Sequence, residues 1–163
     1  MKNYKLSDET KTATFGTVLH RVVATTSFTV AHAVVVDAGD VGGWIEKESN
    51  LSDNAWVSGD ALIYGDAQVY GNAQAYGDVQ VCGDARVVNV GDYLVFKNNW
   101  SSGRYFTWTK SNDMWAVGCF YGTGDELIKK AYADSEDNGK HYESYVKLVE
   151  TLKNVEQKRN EKL

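Results

Sequence analysis

Six residues in one short stretch carry the side chains with the greatest capacity for recognition: Trp100, Arg104, Tyr105, Trp108, Lys110 and Trp115. Aromatic faces beside a guanidinium and an ammonium can stack a base, a nucleotide or a sugar. The same residue types dominate the energetic centres of protein–protein contacts. The remaining reading is that these aromatics fill the core of the hairpin that carries them. The sequence leaves all three open, and the six residues form the candidate partner-binding set.

A reaction centre has no comparable signature. The histidines are His20, His32 and His141, and residues 41–92 contain none. Zinc needs three or four convergent nitrogen, sulfur or oxygen ligands, and no two of these histidines have ligand spacing. Cys82 falls at a strand position with no base beside it, and Cys119 falls in an apolar strand. Neither has the setting that lowers a thiol pKa. Gly122-Thr123-Gly124 is too short to read as a phosphate-cradling loop. The expectation is a protein without catalytic residues, metal or cofactor, and not an enzyme.

The element that must position this chemistry is a repeat. From residue 45 to residue 92 the chain counts in sixes: IEKESN, LSDNAW, VSGDAL, IYGDAQ, VYGNAQ, AYGDVQ, VCGDAR, VVNVGD. Each hexad opens on an aliphatic residue, and Val57 to Arg86 share one grammar, aliphatic-x-Gly-(Asp/Asn)-(Ala/Val)-x. A fixed short period of this kind marks a parallel β-helix. In left-handed β-helices three hexads close one coil, so residue i stacks on residue i+18. This places Ile45, Ile63 and Val81 in one inward column, Leu51, Val69 and Val87 in a second, and Val57 and Ala75 in the third. The recurrent glycines fall at corners where positive φ is expected, with Asp53 and Asn89 taking that place in the flanking hexads. Asp60 stacks over Asp78, and Asp66 over Asp84. Capping of turn N–H groups accounts for them better than a calcium ladder, which needs several converging oxygens.

The repeat resembles the hexapeptide-repeat, left-handed β-helix superfamily. It departs from that superfamily's transferases in placing glycine one position later, as in IYGDAQ and VYGNAQ. In this it resembles short repeat proteins of phages and prophages, often described as polymer-forming or of unknown function. The flanks AGDVGGWIEKESNLS and YFTWTKSNDMWAVGCFYGTGDELIKKAYADSE are similar to the same group. The resemblance implies a phage or mobile-element origin and supplies no established activity.

The expected fold is mainly β: a short left-handed parallel β-helix of about three coils over residues 45–92, an N-terminal β cap over residues 1–44, and an aromatic β-hairpin with two helices over residues 93–163. Thr17–Ala24 and Thr26–Val36 read as cap strands, and Arg104–Thr109 and Met114–Tyr121 as the hairpin. A helix starts at Gly124-Asp125-Glu126 and breaks at Asp137-Asn138-Gly139. A second runs from about Lys140 to Gln157, with Tyr142, Tyr145, Val146, Val149, Leu152 and Val155 on one face.

Charge divides the chain. Residues 45–92 hold eight acidic and two basic side chains, whereas residues 93–163 hold ten acidic and eleven basic. An acidic repeat argues against nucleic-acid binding through that block. No apolar run reaches the ~18 residues of a membrane span, and the N-terminus has no apolar core of a secretory signal. The expected setting is the cytoplasm of a bacterial host cell, with no membrane partner. The leading functional expectation is a non-enzymatic phage or prophage protein that acts on a host macromolecule, as an inhibitor of a bacterial defence system, with a protein, host or self, as the expected partner. Two alternatives stand beside it: a small-molecule or nucleotide binder or transferase using the aromatic hairpin, and a structural unit that assembles with copies of itself as a homo-oligomer.

Overall fold

The computed structural model of this chain describes residues 2–163. Its N-terminal part contributes β1 (Tyr4–Thr12), β2 (Val18–Ala24), β3 (Phe28–Thr29), β4 (Val35–Val36) and β5 (Val41–Ile45). Two-residue strands follow through the hexads: β6 (Trp56–Val57), β7 (Leu62–Ile63), β8 (Gln68–Val69), β9 (Gln74–Ala75), β10 (Gln80–Val81) and β11 (Arg86–Val87). The C-terminal part holds β12 (Tyr93–Lys97), β13 (Tyr105–Thr109), β14 (Met114–Val117), β15 (Phe120–Gly122), α1 (Gly124–Asp134) and α2 (Glu136–Asn160).

Each repeat strand ends on the aliphatic residue that opens a hexad, and its parallel partner lies eighteen residues away. Ile45 pairs with Ile63 and Ile63 with Val81. Val57 pairs with Ala75, and Val69 with both Leu51 and Val87. All eight side chains of the inward columns are fully buried, together with the fifth-position alanines. Period-two alternation explains why: one strand residue turns inward while its neighbour faces out. Gly59 and Gly65 have φ of +66° and +68°, and the backbones of Gly77 and Gly83 lie directly over them. Left-handed backbone and close stacking together require glycine there.

The expected left-handed β-helix with a separate cap is overturned. The strands form five separate sheets, antiparallel and parallel mixed, rather than one continuous solenoid. The N-terminal hairpin is continuous with the repeat's sheet and covers its first edge. β2 pairs antiparallel with β5, His20 opposite Ile45 and Arg21 opposite Trp44, so the largest sheet runs β1-β2-β5-β7-β10. The remaining repeat strands form the isolated pairs β6–β9 and β8–β11. β7 and β10 are just as short but join the large sheet because β7 pairs with β5 and β5 with β2, whereas β6–β9 and β8–β11 have no such longer neighbour. Thr26–Val36 is likewise not one strand. It folds back as β3–β4 around Ala31–Ala33, where His32 and Ala33 take positive φ and Ala31 N–H donates to Asn72 O at 2.9 Å.

Two corner substitutes behave differently. Asp53 adopts φ +57° and its Oδ2 accepts from Gly71 N at 3.0 Å. Asn89 is extended at φ −132° and begins a short turn, so the hexad register ends before it. The stacked aspartates do not share one role either. Asp66 pairs with Lys47 at 3.0 Å and Asp84 accepts from Asn112 at 2.9 Å.

Asn50 is a buried polar plug inside the first hexad. Its Nδ2 donates to Gly65 O and Ala67 O at 3.1 and 2.8 Å, and its Oδ1 accepts from Lys47 N at 2.8 Å. Each buried group left unpaired costs ~1–3 kcal/mol. Asn50→Ala is therefore expected to lower unfolding free energy by roughly 2 kcal/mol, with water recovering part of the loss. A urea midpoint equal to that of the wild type would contradict this.

The C-terminal module is a four-stranded antiparallel meander, β12-β13-β14-β15, not the two-stranded hairpin expected. Both faces of β13 are covered. Phe106 and Trp108 join Trp115, Val117, Leu127, Tyr142, Val146 and Val149 in a second core under the helices. On the other side Thr107 Oγ1 accepts from Gln80 N at 2.9 Å, and nearby Ser111 Oγ accepts from Arg86 N at 2.7 Å. Tyr93 Oη donates to Gln74 O at 3.1 Å. Side-chain hydroxyls thus occupy backbone groups of β9, β10 and β11 that would otherwise form an open edge. The break between the helices falls earlier than expected. Ser135 caps α2, accepting from Asn138 N, and Gly139 lies within the helix, where the Tyr132 ring occupies the space a Cβ would need.

Candidate interaction surface

The loop joining β12 to β13 is built around Asn98, which is fully buried. Its Oδ1 accepts from Trp100 N and Ser101 N, and its Nδ2 donates to Ser101 Oγ and Ser102 Oγ. Asn98 N–H also donates to Arg104 O at 2.9 Å, closing the loop. One internal side chain therefore replaces solvent for most of the loop's polar groups and holds its shape. Trp100 projects from this frame with 76% of its surface exposed. It lies beside His141, Ser144, Tyr145 and Leu148 of α2. Tyr145 Oη reaches Lys97 O at 3.4 Å, linking the helix to the base of the loop.

The six candidate residues do not form one site. Trp100 and Arg104 belong to the β12–β13 loop and Tyr105 opens β13, but they have different neighbours: Trp100 lies beside α2, whereas Tyr105 alternates with the helix-facing Phe106 and shares the opposite face with Lys97. Arg104 lies along the turn at Gly118, and Tyr105 carries the Lys97 ammonium 5.4 Å from its ring centre. Lys110 is at the opposite end of β13, ion-paired with Glu156 at 2.6 Å. Trp108 and Trp115 are core residues. Trp108 Nε1 donates to Asp113 Oδ1 at 2.7 Å, and Asp113 Oδ2 in turn holds Lys153 at 2.6 Å. Sequence reasoning missed Lys97, Asn98, Tyr145 and Leu148. Lys97 had a usable signal, since it lies in register with Tyr105 across the hairpin.

The cysteines lie near one another around a small cleft lined by Phe15, Tyr64, Cys82, Cys119 and Tyr121. Burial pushes the Cys82 thiol up to about 11, and burial likewise raises the Tyr64 hydroxyl beside it. A thiol in that state is protonated and a poor nucleophile at neutral pH. Among the described residues, no group of three or more His, Cys, Asp and Glu side chains is placed to hold a metal ion. No helix among them is long and apolar enough to cross a membrane.

No protein-family model matches this chain, and no curated protein matches it. The loop braced by Asn98 leaves Trp100 and Arg104 exposed, a large rigid ring and a guanidinium.

Proposed function

We propose that this chain is a non-enzymatic binding protein of phage or prophage type that docks on a host protein through the β12–β13 loop that carries Trp100 and Arg104. The observation that carries the reading is Trp100, an indole left 76% exposed on a loop whose polar groups are already satisfied internally. Exposing so large an apolar ring is unfavourable in a free monomer, and burying it in a partner recovers that cost. Tryptophan, tyrosine and arginine are the residues in which contact energy concentrates. The braced loop loses little conformational freedom on docking. The host assignment, and the role against a bacterial defence component in the cytoplasm, draw on the likeness of the repeat and its flanks to phage-encoded proteins.

The test is capture from bacterial lysate by the tagged chain, followed by titration with the purified partner. Trp100→Ala and Arg104→Ala are expected to weaken binding at least tenfold while leaving the far-UV circular dichroism unchanged, as expected for hot-spot residues. If both variants bind normally and charge reversal at Asp60, Asp66, Asp78 or Asp84 abolishes binding, the acidic repeat is the working surface and the loop is not.

A further inference from the structure

We propose that the groove between the C-terminal half of α2 and the start of β12 binds a small amphipathic acid, an aliphatic chain ending in a carboxylate. The groove lies at the opposite end of β13 from Trp100 and uses other residues, so the proposal stands whether or not that loop docks on a host protein.

The groove exists because the contact between helix and sheet changes character along α2. Tyr142, Val146 and Val149 pack into the second core. Beyond Val149 the helix is joined to the sheet by charged side chains instead. Lys153 reaches Asp113 on the β13–β14 turn, and Glu156 reaches Lys110, each at 2.6 Å. Ion pairs between long side chains bridge a gap that apolar packing would close. The helical periodicity sets Leu152 and Val155 on the buried face with Tyr142, but the structure leaves them 45% and 62% exposed. They line one concavity with Leu94 of β12, Trp108 and Val149. Single exposed aliphatics are ordinary on protein surfaces. Five apolar side chains around one groove with a few charged groups beside them are the usual make-up of a ligand site.

The charge around this floor calls for an anion. Lys110, Lys153 and Arg159 line the groove against a single carboxylate, that of Glu156. Lys110 and Lys153 are engaged in the ion pairs above. Arg159 is exposed and makes no ion pair among the described residues. A guanidinium beside an apolar floor grips a carboxylate through two parallel N–H donors, while the chain of the ligand lies on Leu94, Leu152 and Val155. An uncharged chain of the same length gains the apolar contact and forgoes the guanidinium. A cationic chain meets like charge. The volume of about 310 Å³ corresponds to roughly ten water-sized units, which matches the non-hydrogen atoms of octanoate.

A methyl NMR titration with sodium octanoate tests the site, with octanol and octylammonium as uncharged and oppositely charged controls. Octanoate is expected to shift the methyl resonances of Leu94, Leu152 and Val155 saturably. Octanol is expected to bind roughly tenfold more weakly, and octylammonium more weakly still. In Arg159→Gln, octanoate is expected to fall roughly tenfold, to the level of octanol, while octanol binds as before. Arg159 is exposed and unpaired, so this variant keeps the fold and stability of the wild type. Leu152→Asp, which sets a carboxylate on the apolar floor, is expected to remove binding of both. Four results would each overturn the assignment: no saturable shift below the concentration at which octanoate self-associates, octanol binding as tightly as octanoate, unchanged octanoate affinity in Arg159→Gln, or shifts centred on Leu148 beside Trp100 instead.

Discussion

Val69→Asp is expected to abolish folding, while Gln68→Asp, one residue earlier in the same strand, leaves the melting temperature nearly unchanged. Val69 is fully buried, with Leu51 on one side and Val87 on the other, both also fully buried. A carboxylate at that point has no cation and no hydrogen-bond donor within its column. An unpaired buried charge belongs to the small class of substitutions that cost more than ~4–5 kcal/mol. Against a total stability of ~5–15 kcal/mol for a domain of this size, that is enough to remove the native state. Gln68 is exposed, and its backbone N–H still donates to Ala85 O. Aspartate there lies in register with Arg86. Circular dichroism melts of the two variants decide the matter: equal losses would contradict the inward register of the whole repeat.

That register was legible because three signals coincide every six residues, an aliphatic, a glycine and a small residue. The sheet architecture was not. β1 has the sequence YKLSDETKT, in which only Tyr4 is buried. An edge strand needs one anchored residue and a row of backbone groups, and Tyr4 supplies the anchor by donating to Leu51 O at 2.7 Å. Neither requirement leaves a hydrophobic pattern, so β1 was invisible; β2 was legible as Thr17–Ala24, but its antiparallel pairing with β5 was not. β12 was missed for a related reason: Tyr93–Lys97 follows Gly91-Asp92, a glycine and acid of the same types as the repeat's own turns, so nothing marks the change. At the candidate surface, composition was legible and exposure was not. Alternation along β13 normally separates a wet face from a dry one, but here the helices cover one face and the repeat covers the other. Only the braced loop ahead of β13 leaves a tryptophan in solvent.

Trp115→Ala carries the second large effect. Trp115 is buried against Phe96 at 6.3 Å and Phe106 at 6.5 Å between ring centres, with Trp108 opposite it on β13. Its removal opens a cavity among rings already held from several sides, so the site collapses poorly. Loss of ~3–5 kcal/mol is expected. Trp100→Ala, on an exposed side chain, is expected to stay within about 0.5 kcal/mol of the wild type. Guanidinium unfolding of both variants checks the contrast. A Trp115→Ala protein as stable as the wild type would return that residue to the candidate surface from which its burial removes it.

The distribution of indoles has an optical consequence. Trp44, Trp56, Trp108 and Trp115 are buried, and Trp100 alone faces water. Collisional quenchers such as iodide reach only what solvent reaches, so nearly all quenchable emission from the native protein originates from one ring. That ring stands on the proposed docking loop, beside His141, Tyr145 and Leu148 of α2. The chain therefore carries an intrinsic reporter at the place where its host contact is proposed. Loss of quenching follows the covering of Trp100 without any added dye, and the four shielded indoles supply the internal reference.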